Sequence, residues 1–426
     1  MQKNGWLDVF QPPVYKSNGG SEFLQILPWK SDKDGLHYPQ IQWHNAQNQD
    51  IFISNGQFVV TEILRWDEEN DLVYFEGTGE GQPGSRQMYT AKTSEIKVQC
   101  ITCDLKTTRD EECKYNSIKM NDKATFYVHT CYGPGIPDVV LRSVQENHSI
   151  KYVFETNQAL EDKVKNKAVS ERIDMKVSVG NYEVPVMLKL PSGCTEEKKC
   201  PLLIKVYGGP GSQQINEKWK VSYEDYLSSS YGIAFAIIDG RGTGFLSNEY
   251  MFEVYRKLGS VEMQDQIYGA QQLLERYEFL DPERTAIWGW SYGGYATLMT
   301  LVQDTDKVFS CGLATAPVTD WLLYDSMYTE RYMGLREDNL DGYEKTSLLN
   351  KVNSLRGKFF QINHGNADDN VHYQQAMLLV RALELEDIDF ESHSYPDENH
   401  GLVGVRKAVY HNFDRFWSYC FGHDLI

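Results

Sequence analysis

The sequence of 426 residues has no long hydrophobic run and too few basic residues to balance its acidic ones. Its longest apolar stretch, residues 232–238, is far shorter than the roughly 18–20 residues that a helix needs to cross a bilayer. A mean hydropathy of −0.50 likewise excludes a multi-span membrane protein. The net charge of −18 repels nucleic-acid phosphates, so we expect no nucleic-acid partner.

The chain also begins without the apolar core of a signal peptide, although its cysteines indicate an oxidising compartment. The eight cysteines are even in number and several are closely spaced, which favours disulfides. The CxxC pair at 100–103 lacks a second pair of ligands nearby, so we expect no metal. Asn147 begins a glycosylation sequon. These features agree if the sequence lacks the true N-terminus of a secreted or membrane-anchored protein.

Two patterns of secondary structure divide the chain. Up to about residue 165, strand-like runs such as 72–76 alternate with turn signals such as Gly133-Pro-Gly135, which predicts an all-β sandwich, barrel or propeller. From about 170 onward, apolar strands alternate with helical stretches, which predicts a doubly wound, mostly parallel sheet. We therefore expect an all-β region over 1–165 and an α/β region over 166–426.

A possible nucleophile lies in the second region, where Gly289-Trp-Ser-Tyr-Gly293 matches the pattern G-x-S-x-G. An apolar strand, 285–288, leads into the motif and a helix-compatible stretch follows it. This is the setting that holds a serine in a strained turn of the α/β-hydrolase fold. We expect Ser291 to be the nucleophile, while a plain glycine-rich connection between strand and helix is the alternative.

A serine needs a base, and the base needs a carboxylate that fixes its tautomer. In α/β-hydrolases these residues follow in the order Ser, Asp, His, each after a later strand. His400 follows the predicted strand 389–395, and Asp368 follows the strand 358–363. Asp369 competes for the role of the acid, and sequence spacing does not separate the two.

An oxyanion hole needs two donors. The backbone N–H of Tyr292, next to the nucleophile, is one candidate. The second is expected from the loop 207–212, which follows the predicted strand 202–206.

Four segments resemble the dipeptidyl-peptidase branch of the prolyl oligopeptidase family of serine peptidases. They are Asp-Gly-Arg-Gly-Thr-Gly at 239–244, Gly-Trp-Ser-Tyr-Gly-Gly-Tyr at 289–295, Tyr-Asp-Ser-Met-Tyr-Thr-Glu-Arg-Tyr-Met-Gly at 324–334 and His-Gly-Asn-Ala-Asp-Asp-Asn-Val-His at 364–372. The resemblance extends over the whole chain, including the four cysteines at 100–131. It implies an α/β-hydrolase domain preceded by the last blades of a β-propeller.

The resemblance also implies individual roles. It makes Asp368, not Asp369, the acid, and it gives the hydroxyl of Tyr207 to the oxyanion hole. Asn370 and Arg331 would hold carbonyl groups of the substrate, and no cofactor is implied. The walls of a small apolar pocket for proline would be Tyr292, Val318, Trp321, Tyr324, Tyr328 and Val371.

Matching cysteines imply the disulfides Cys100–Cys103, Cys113–Cys131 and Cys311–Cys420. Cys194 and Cys200 have no counterpart, and only their proximity suggests that they pair. The family further implies a homodimer of the full-length parent.

Members of the family carry an anchor or signal, further blades and an amine-binding glutamate pair upstream of the part that this sequence resembles. We therefore expect the sequence to correspond to their C-terminal portion, and we expect residues 1–426 alone to show little dipeptidase activity. Glu68-Glu69 lies between two strand-like runs, so we expect a solvated turn there rather than the amine-binding pair.

The implied activity is removal of N-terminal Xaa-Pro, and less readily Xaa-Ala, dipeptides from peptides outside the cell. A prolyl endopeptidase or an acylaminoacyl-type peptidase is the alternative within the superfamily, and the segment 324–331 argues against it. A further alternative is an inactive truncated form that lacks the amine-binding glutamates.

Overall fold

A computed structural model describes residues 4–7, 12–16, 20–167 and 169–422. Up to residue 155 the described chain consists of strands joined by turns, followed by one short helix. The strands are β1 (Val14–Tyr15), β2 (Phe23–Lys30), β3 (His37–His44), β4 (Asp50–Phe52), β5 (Val60–Asp67), β6 (Leu72–Gly79), β7 (Gln82–Ala91), β8 (Gln99–Cys100), β9 (Cys113–Met120), β10 (Phe126–Pro134), β11 (Asp138–Ser143) and β12 (Ile150–Glu155), and the helix is α1 (Gln158–Val164).

These strands pair with their sequence neighbours in three antiparallel groups of four. The groups are β1–β4, β5–β8 and β9–β12, and the last two join through a single pair, Arg86 with Tyr115. Successive four-stranded antiparallel sheets are the pattern of propeller blades. Of the three all-β arrangements that the sequence left open, the propeller is therefore the one that applies. Stacked rings such as Phe75 and Tyr89, 5.4 Å apart, fill the apolar space between strands.

The remaining chain forms one twisted sheet with helices on both faces. Its elements are β13 (Glu171–Val179), β14 (Tyr182–Leu190), β15 (Cys200–Val206), α2 (Tyr223–Tyr231), β16 (Ala234–Ile238), α3 (Asn248–Phe252), α4 (Val261–Arg276), β17 (Leu280–Trp290), α5 (Tyr292–Gln303), β18 (Cys311–Thr315), α6 (Ser326–Met333), α7 (Leu340–Thr346), β19 (Phe359–Gly365), α8 (Gln374–Leu385), β20 (Glu391–Tyr395) and α9 (Arg406–Phe421). Short 3-10 turns lie at Trp321–Leu323, Arg336–Asp338, Leu348–Asn350 and Val352–Leu355.

The strand order in this sheet is β13-β14-β16-β15-β17-β18-β19-β20. The six strands β16-β15-β17-β18-β19-β20 pair in parallel. At one edge, β13 and β14 form an antiparallel hairpin, and β14 pairs antiparallel with β16. Apolar clusters cover both faces, which is why the central strands are apolar almost throughout. The predicted α/β-hydrolase fold is confirmed, and the carboxyl ends of the parallel strands meet at one edge.

The two regions contact each other directly. The N–H of His37 and its Nδ1 both contact the carboxylate of Glu249, at 2.9 and 2.6 Å. The N–H of Trp219 donates to the carbonyl of Tyr132 at 2.8 Å. Within the described ranges, none of the helices has the length and hydrophobicity of a bilayer-spanning segment.

Candidate active site

Ser291 occupies the tight turn between β17 and α5. Its φ of 62° and ψ of −120° lie in a region that non-glycine residues rarely adopt, so the turn is strained. The two glycines of the motif permit the turn, because a Cβ on Gly289 would lie 2.5 Å from the carbonyl oxygen of Val206, and one on Gly293 would lie 2.3 Å from it. The N–H of Ser291 donates to Thr315 at 2.8 Å, which fixes the turn to β18.

Asp368 and His400 follow the ends of β19 and β20 and contact each other. His400 Nδ1 lies 2.7 Å from Asp368 Oδ2. Because an ionised carboxylate only accepts hydrogen bonds, Nδ1 carries the proton in this pair and Nε2 remains free to accept one. The indole N–H of Trp290 donates to the carbonyl of His400 at 2.9 Å, which joins the histidine loop to the residue before Ser291. Asp369 faces solvent.

The carboxylate of Asp368 is buried and receives four hydrogen bonds. Its Oδ1 accepts the N–H groups of Asn370 and Val371 at 2.9 and 3.0 Å, and its Oδ2 contacts His364 as well as His400. Burial alone raises the pKa of Asp368, but the hydrogen bonds from the two histidines and the backbone outweigh it. The pKa therefore lies below its usual value of 3.8, and the group stays ionised at neutral pH.

The rings of Tyr207 and Tyr292 are neighbours. Tyr207 directly follows β15, and its ring centroid is 6.1 Å from that of Tyr292. Burial raises the pKa of Tyr207 above 10.0, so its hydroxyl remains a donor. The N–H of Tyr292 belongs to the first turn of α5, where backbone N–H groups have no partner within the helix.

The aromatic residues predicted for the pocket form one contiguous group. Trp321 lies 5.6 Å from Tyr292, stacks on Tyr328 at 5.8 Å and meets Tyr324 edge-on at 6.0 Å. Val318 and Val371 are fully buried. The hydroxyl of Tyr324 donates to Asn370 Oδ1 at 2.8 Å, so Asn370 also lies at this group. The guanidinium of Arg331 lies over the ring of Tyr332, 5.8 Å from its centroid. Arg331 follows Tyr328 in α6 by about one helical turn.

Comparison with known proteins gives the same assignment for both regions. A family model described as "Prolyl oligopeptidase family" matches residues 219–424. A second, described as "Dipeptidyl peptidase IV (DPP IV) N-terminal region", matches residues 1–138. Venom dipeptidyl peptidase 4 of Vespula vulgaris shares 38% sequence identity with this chain, over an alignment that covers 99% of it. In both of its regions the chain is similar to proteins of the prolyl oligopeptidase family.

Further relatives match over the same extent. Prolyl endopeptidase FAP of Homo sapiens is 37% identical over 98% of this chain. The crystal structure of dipeptidyl peptidase 4 from Porphyromonas gingivalis superimposes with a TM-score of 0.84 at 29% identity, covering 97% of this chain and 56% of that one. The chain spans 54% of the length of both the venom protein and FAP.

Three residues near the site were not singled out from the sequence. His364 is buried, with Nε2 3.2 Å from Asp368 Oδ2 and 2.8 Å from the carbonyl of Val371. Glu262 accepts the hydroxyl of Tyr292 at 2.8 Å. Trp6 packs against Tyr332 with ring centroids 4.8 Å apart. His364 had a sequence signal, because it stands four residues before the acid in a family motif, whereas Glu262 and Trp6 had none.

The eight cysteines all form disulfides, and the sequon lies in an exposed turn. The structure forms four disulfides, namely Cys100–Cys103, Cys113–Cys131, Cys194–Cys200 and Cys311–Cys420. The pair at 194–200 is the one for which the family resemblance offered no counterpart. Asn147 is exposed in the turn between β11 and β12, and its glycosylation remains a prediction. Glu68 and Glu69 lie in the exposed turn between β5 and β6.

Proposed function

We propose that this chain supplies the catalytic centre of a serine exopeptidase that removes Xaa-Pro, and less readily Xaa-Ala, dipeptides from peptide N-termini. The observation that carries the proposal is the contact between His400 and Asp368, 2.7 Å long, beside the strained turn of Ser291. Relatives at 35–40% identity are named dipeptidyl peptidase 4 or prolyl endopeptidase FAP, which supports peptide substrates.

In the proposed mechanism, Ser291 Oγ attacks the scissile carbonyl while His400 Nε2 takes its proton. Asp368 stays ionised and stabilises the imidazolium that forms. The N–H of Tyr292 and the hydroxyl of Tyr207 stabilise the oxyanion, and one such donor contributes about 10²–10³-fold in rate. His400 then protonates the leaving amine, which leaves an acyl-enzyme on Ser291.

Deacylation repeats these steps with water as the nucleophile, and His400 acts first as base and then as acid. The aromatic group around Trp321 accounts for the proposed preference. Rigid walls of Tyr292, Trp321 and Tyr328 suit the compact ring of proline and leave alanine with fewer contacts. A missing methylene in such a pocket typically costs about 1–3 kcal/mol.

We also propose that the protein acts outside the cell, as a secreted or membrane-anchored parent, and that the parent is a homodimer. The four disulfides and the similarity to venom proteins support the first part. The second part follows from the family alone. Analytical ultracentrifugation of the secreted protein tests it, since a single monomeric species would contradict it.

A panel of fluorogenic reporters tests the specificity. Free Gly-Pro, free Gly-Ala and N-blocked Gly-Pro reporters differ in their penultimate residue or in their N-terminal amine. The exopeptidase proposal predicts hydrolysis in the order free Gly-Pro, free Gly-Ala, blocked Gly-Pro. Because several relatives are named prolyl endopeptidase FAP, the second candidate is a prolyl endopeptidase. Faster release from the blocked reporter would favour that candidate and contradict the exopeptidase.

A further inference from the structure

Glu262 lies behind the candidate substrate pocket and is 2% exposed. It stands in the first turn of α4, and its carboxylate receives three hydrogen bonds. Oε1 accepts the N–H of Gly259 at 2.5 Å and the hydroxyl of Tyr292 at 2.8 Å, and Oε2 accepts the N–H of Ser260 at 2.9 Å. The carboxylate thus joins the start of α4 to the side chain that follows the nucleophile.

The three partners of Glu262 are all donors, so the site favours an ionised carboxylate, which only accepts. Burial raises the pKa of Glu262 above 4.5, and the hydrogen bonds from the backbone and Tyr292 oppose this rise. The N-terminal end of α4 also favours a negative charge at this position. A glutamine has one acceptor oxygen and a donor NH₂ group. At least one of the three donors would then face another donor.

The loop that carries Gly259 and Ser260 is held from its other side. The hydroxyl of Tyr295 donates to the carbonyl of Thr346 at 2.9 Å and contacts that of Leu258 at 3.4 Å, and the side chain of Gln303 donates to the carbonyl of Gly259 at 2.8 Å. Glu262 therefore anchors Tyr292 to a fixed support rather than to a free loop.

Tyr292 connects this anchor to the chemistry in two ways. Its ring lies beside those of Trp321 and Tyr207, with centroids 5.6 and 6.1 Å away, so a change in its tilt would move one wall of the candidate pocket. Its backbone N–H is the candidate oxyanion donor next to Ser291. Burial, reinforced by Glu262, keeps the pKa of Tyr292 well above 10.0, so the hydroxyl remains a donor to the carboxylate.

We propose that Glu262 is a positioning residue that fixes the ring of Tyr292 and thereby sets the preference of the pocket for proline over alanine. The proposal rests on the proposed function, because it assumes that this aromatic group binds the penultimate residue of the substrate. Glu262 itself does not touch the substrate.

Three covalent probes of the full chain separate pocket recognition from the reactivity of the serine. A small alkyl fluorophosphonate reports on Ser291 without needing the pocket. Gly-Pro and Gly-Ala diphenyl phosphonates react with the same serine but place proline or alanine in the pocket. The ratio of the second-order labelling rates of the two diphenyl phosphonates measures the preference, and the fluorophosphonate rate separately measures the reactivity of Ser291.

In Glu262→Gln we expect the preference for the proline probe to fall about tenfold, the effect of a poorly fitted methylene-sized contact. Glu275→Gln is the matched control, since Glu275 is an exposed glutamate of the same helix, and it should leave all three rates unchanged. An unchanged preference in folded Glu262→Gln would overturn the inference. An equal loss of rate with all three probes would also overturn it, because that pattern indicates a structural role alone.

Tyr292→Phe keeps the test decisive if Glu262→Gln fails to fold, because it leaves the carboxylate with its backbone donors. It should lower the preference in the same direction, and adding Glu262→Gln should then change the preference little further. Additive effects, or an unchanged preference in Tyr292→Phe, would contradict the inference. Absence of fluorophosphonate labelling in the wild-type protein would contradict the proposed function instead, so the two failures are distinguishable.

Discussion

At the scale of single residues, the adjacent carboxylates Asp368 and Asp369 have opposite environments. Asp368 is buried and receives hydrogen bonds from two histidines and two backbone N–H groups, whereas Asp369 is exposed. Only the first can fix the tautomer of His400, because only the first contacts its Nδ1. Variants of Asp368 and of Asp369 therefore serve as controls for each other.

We expect Asp368→Asn to lower the rate of Ser291 acylation by about 10⁴-fold, because an amide can stabilise the wrong tautomer of His400 and cannot balance the imidazolium. Asp369→Asn should change the rate little. Single-turnover kinetics with a free Gly-Pro reporter measures both. A large loss in Asp369→Asn with a small one in Asp368→Asn would reverse the assignment of the acid.

Much of the candidate site could be predicted from single residues, since the pattern around Ser291 and the position of His400 after a strand are local features. The choice between Asp368 and Asp369 needed a family resemblance, because adjacent residues share the same spacing. Glu262 could not be predicted, because it precedes Tyr292 by 30 positions and only the packing of α4 against α5 brings them together.

At the scale of elements, the loop 213–217 joins the region of Tyr207 to the propeller blades. The side-chain amide of Gln213 donates to the carbonyl of Pro83 at 2.7 Å, and the backbone N–H of Glu217 donates to the carbonyl of Gly84 at 3.0 Å. Asp239, directly after β16, fixes the loop because its carboxylate accepts hydrogen bonds from the N–H groups of Gln214 and Ile215, at 3.0 and 2.8 Å.

The buried Asp239 gives this loop a pH dependence. Burial raises the pKa of Asp239 from 3.8 to about 6. Between these two values the folded chain holds a proton that the unfolded chain has released, so the contribution of Asp239 to stability falls as pH rises from about 4 to about 6. Relative to Asp239→Asn, the wild-type free energy of unfolding should fall by on the order of 3 kcal/mol across this window.

Urea unfolding of the wild type and Asp239→Asn at several pH values between 4 and 7 measures this difference. Other titrating groups contribute equally to both proteins and cancel. A difference that stays constant over the range would show that Asp239 is not the buried acid described here.

The elements themselves were predictable where burial is complete. The clearest cases are β15 and β17, whose buried apolar runs were predicted at 202–206 and 285–288. The hairpin of β13 and β14 was not foreseen, because most of β13 is exposed or partly exposed and its polar residues hide the strand signal. Gly133-Pro-Gly135 was expected to be a turn, but β10 continues to Pro134 through irregular pairing with β9, where a proline is tolerated.

At the scale of the whole molecule, disulfides of very different span constrain the α/β region. Cys311–Cys420 closes a separation of 109 residues between β18 and α9, whereas Cys194–Cys200 closes 6. Loop-closure entropy predicts about 5 kcal/mol of stabilisation from the first and about 2 kcal/mol from the second. Denaturant unfolding of Cys311→Ala/Cys420→Ala and of Cys194→Ala/Cys200→Ala tests this order, and a larger loss from the short-range pair would contradict it.

The arrangement of the regions depends on contacts that no local pattern encodes. The sequence predicted an all-β and an α/β part but not how they meet. Trp6, from the start of the chain, belongs to the core of the α/β part and lies 4.6 Å from Phe252. A tryptophan near a terminus has no periodic neighbours, so its partners cannot be inferred without the fold. The propeller likewise became distinguishable only through the pairing order of its strands.

The role of Ser291 is tested most directly by identifying the residue that a fluorophosphonate modifies, with peptide mass spectrometry of the labelled protein. We predict one adduct, on the peptide that contains Ser291, and its loss in Ser291→Ala. Ser354→Ala, at an exposed serine, should label like the wild type. Labelling that persists in Ser291→Ala, or an adduct on another residue, would contradict the assignment of Ser291 as the nucleophile.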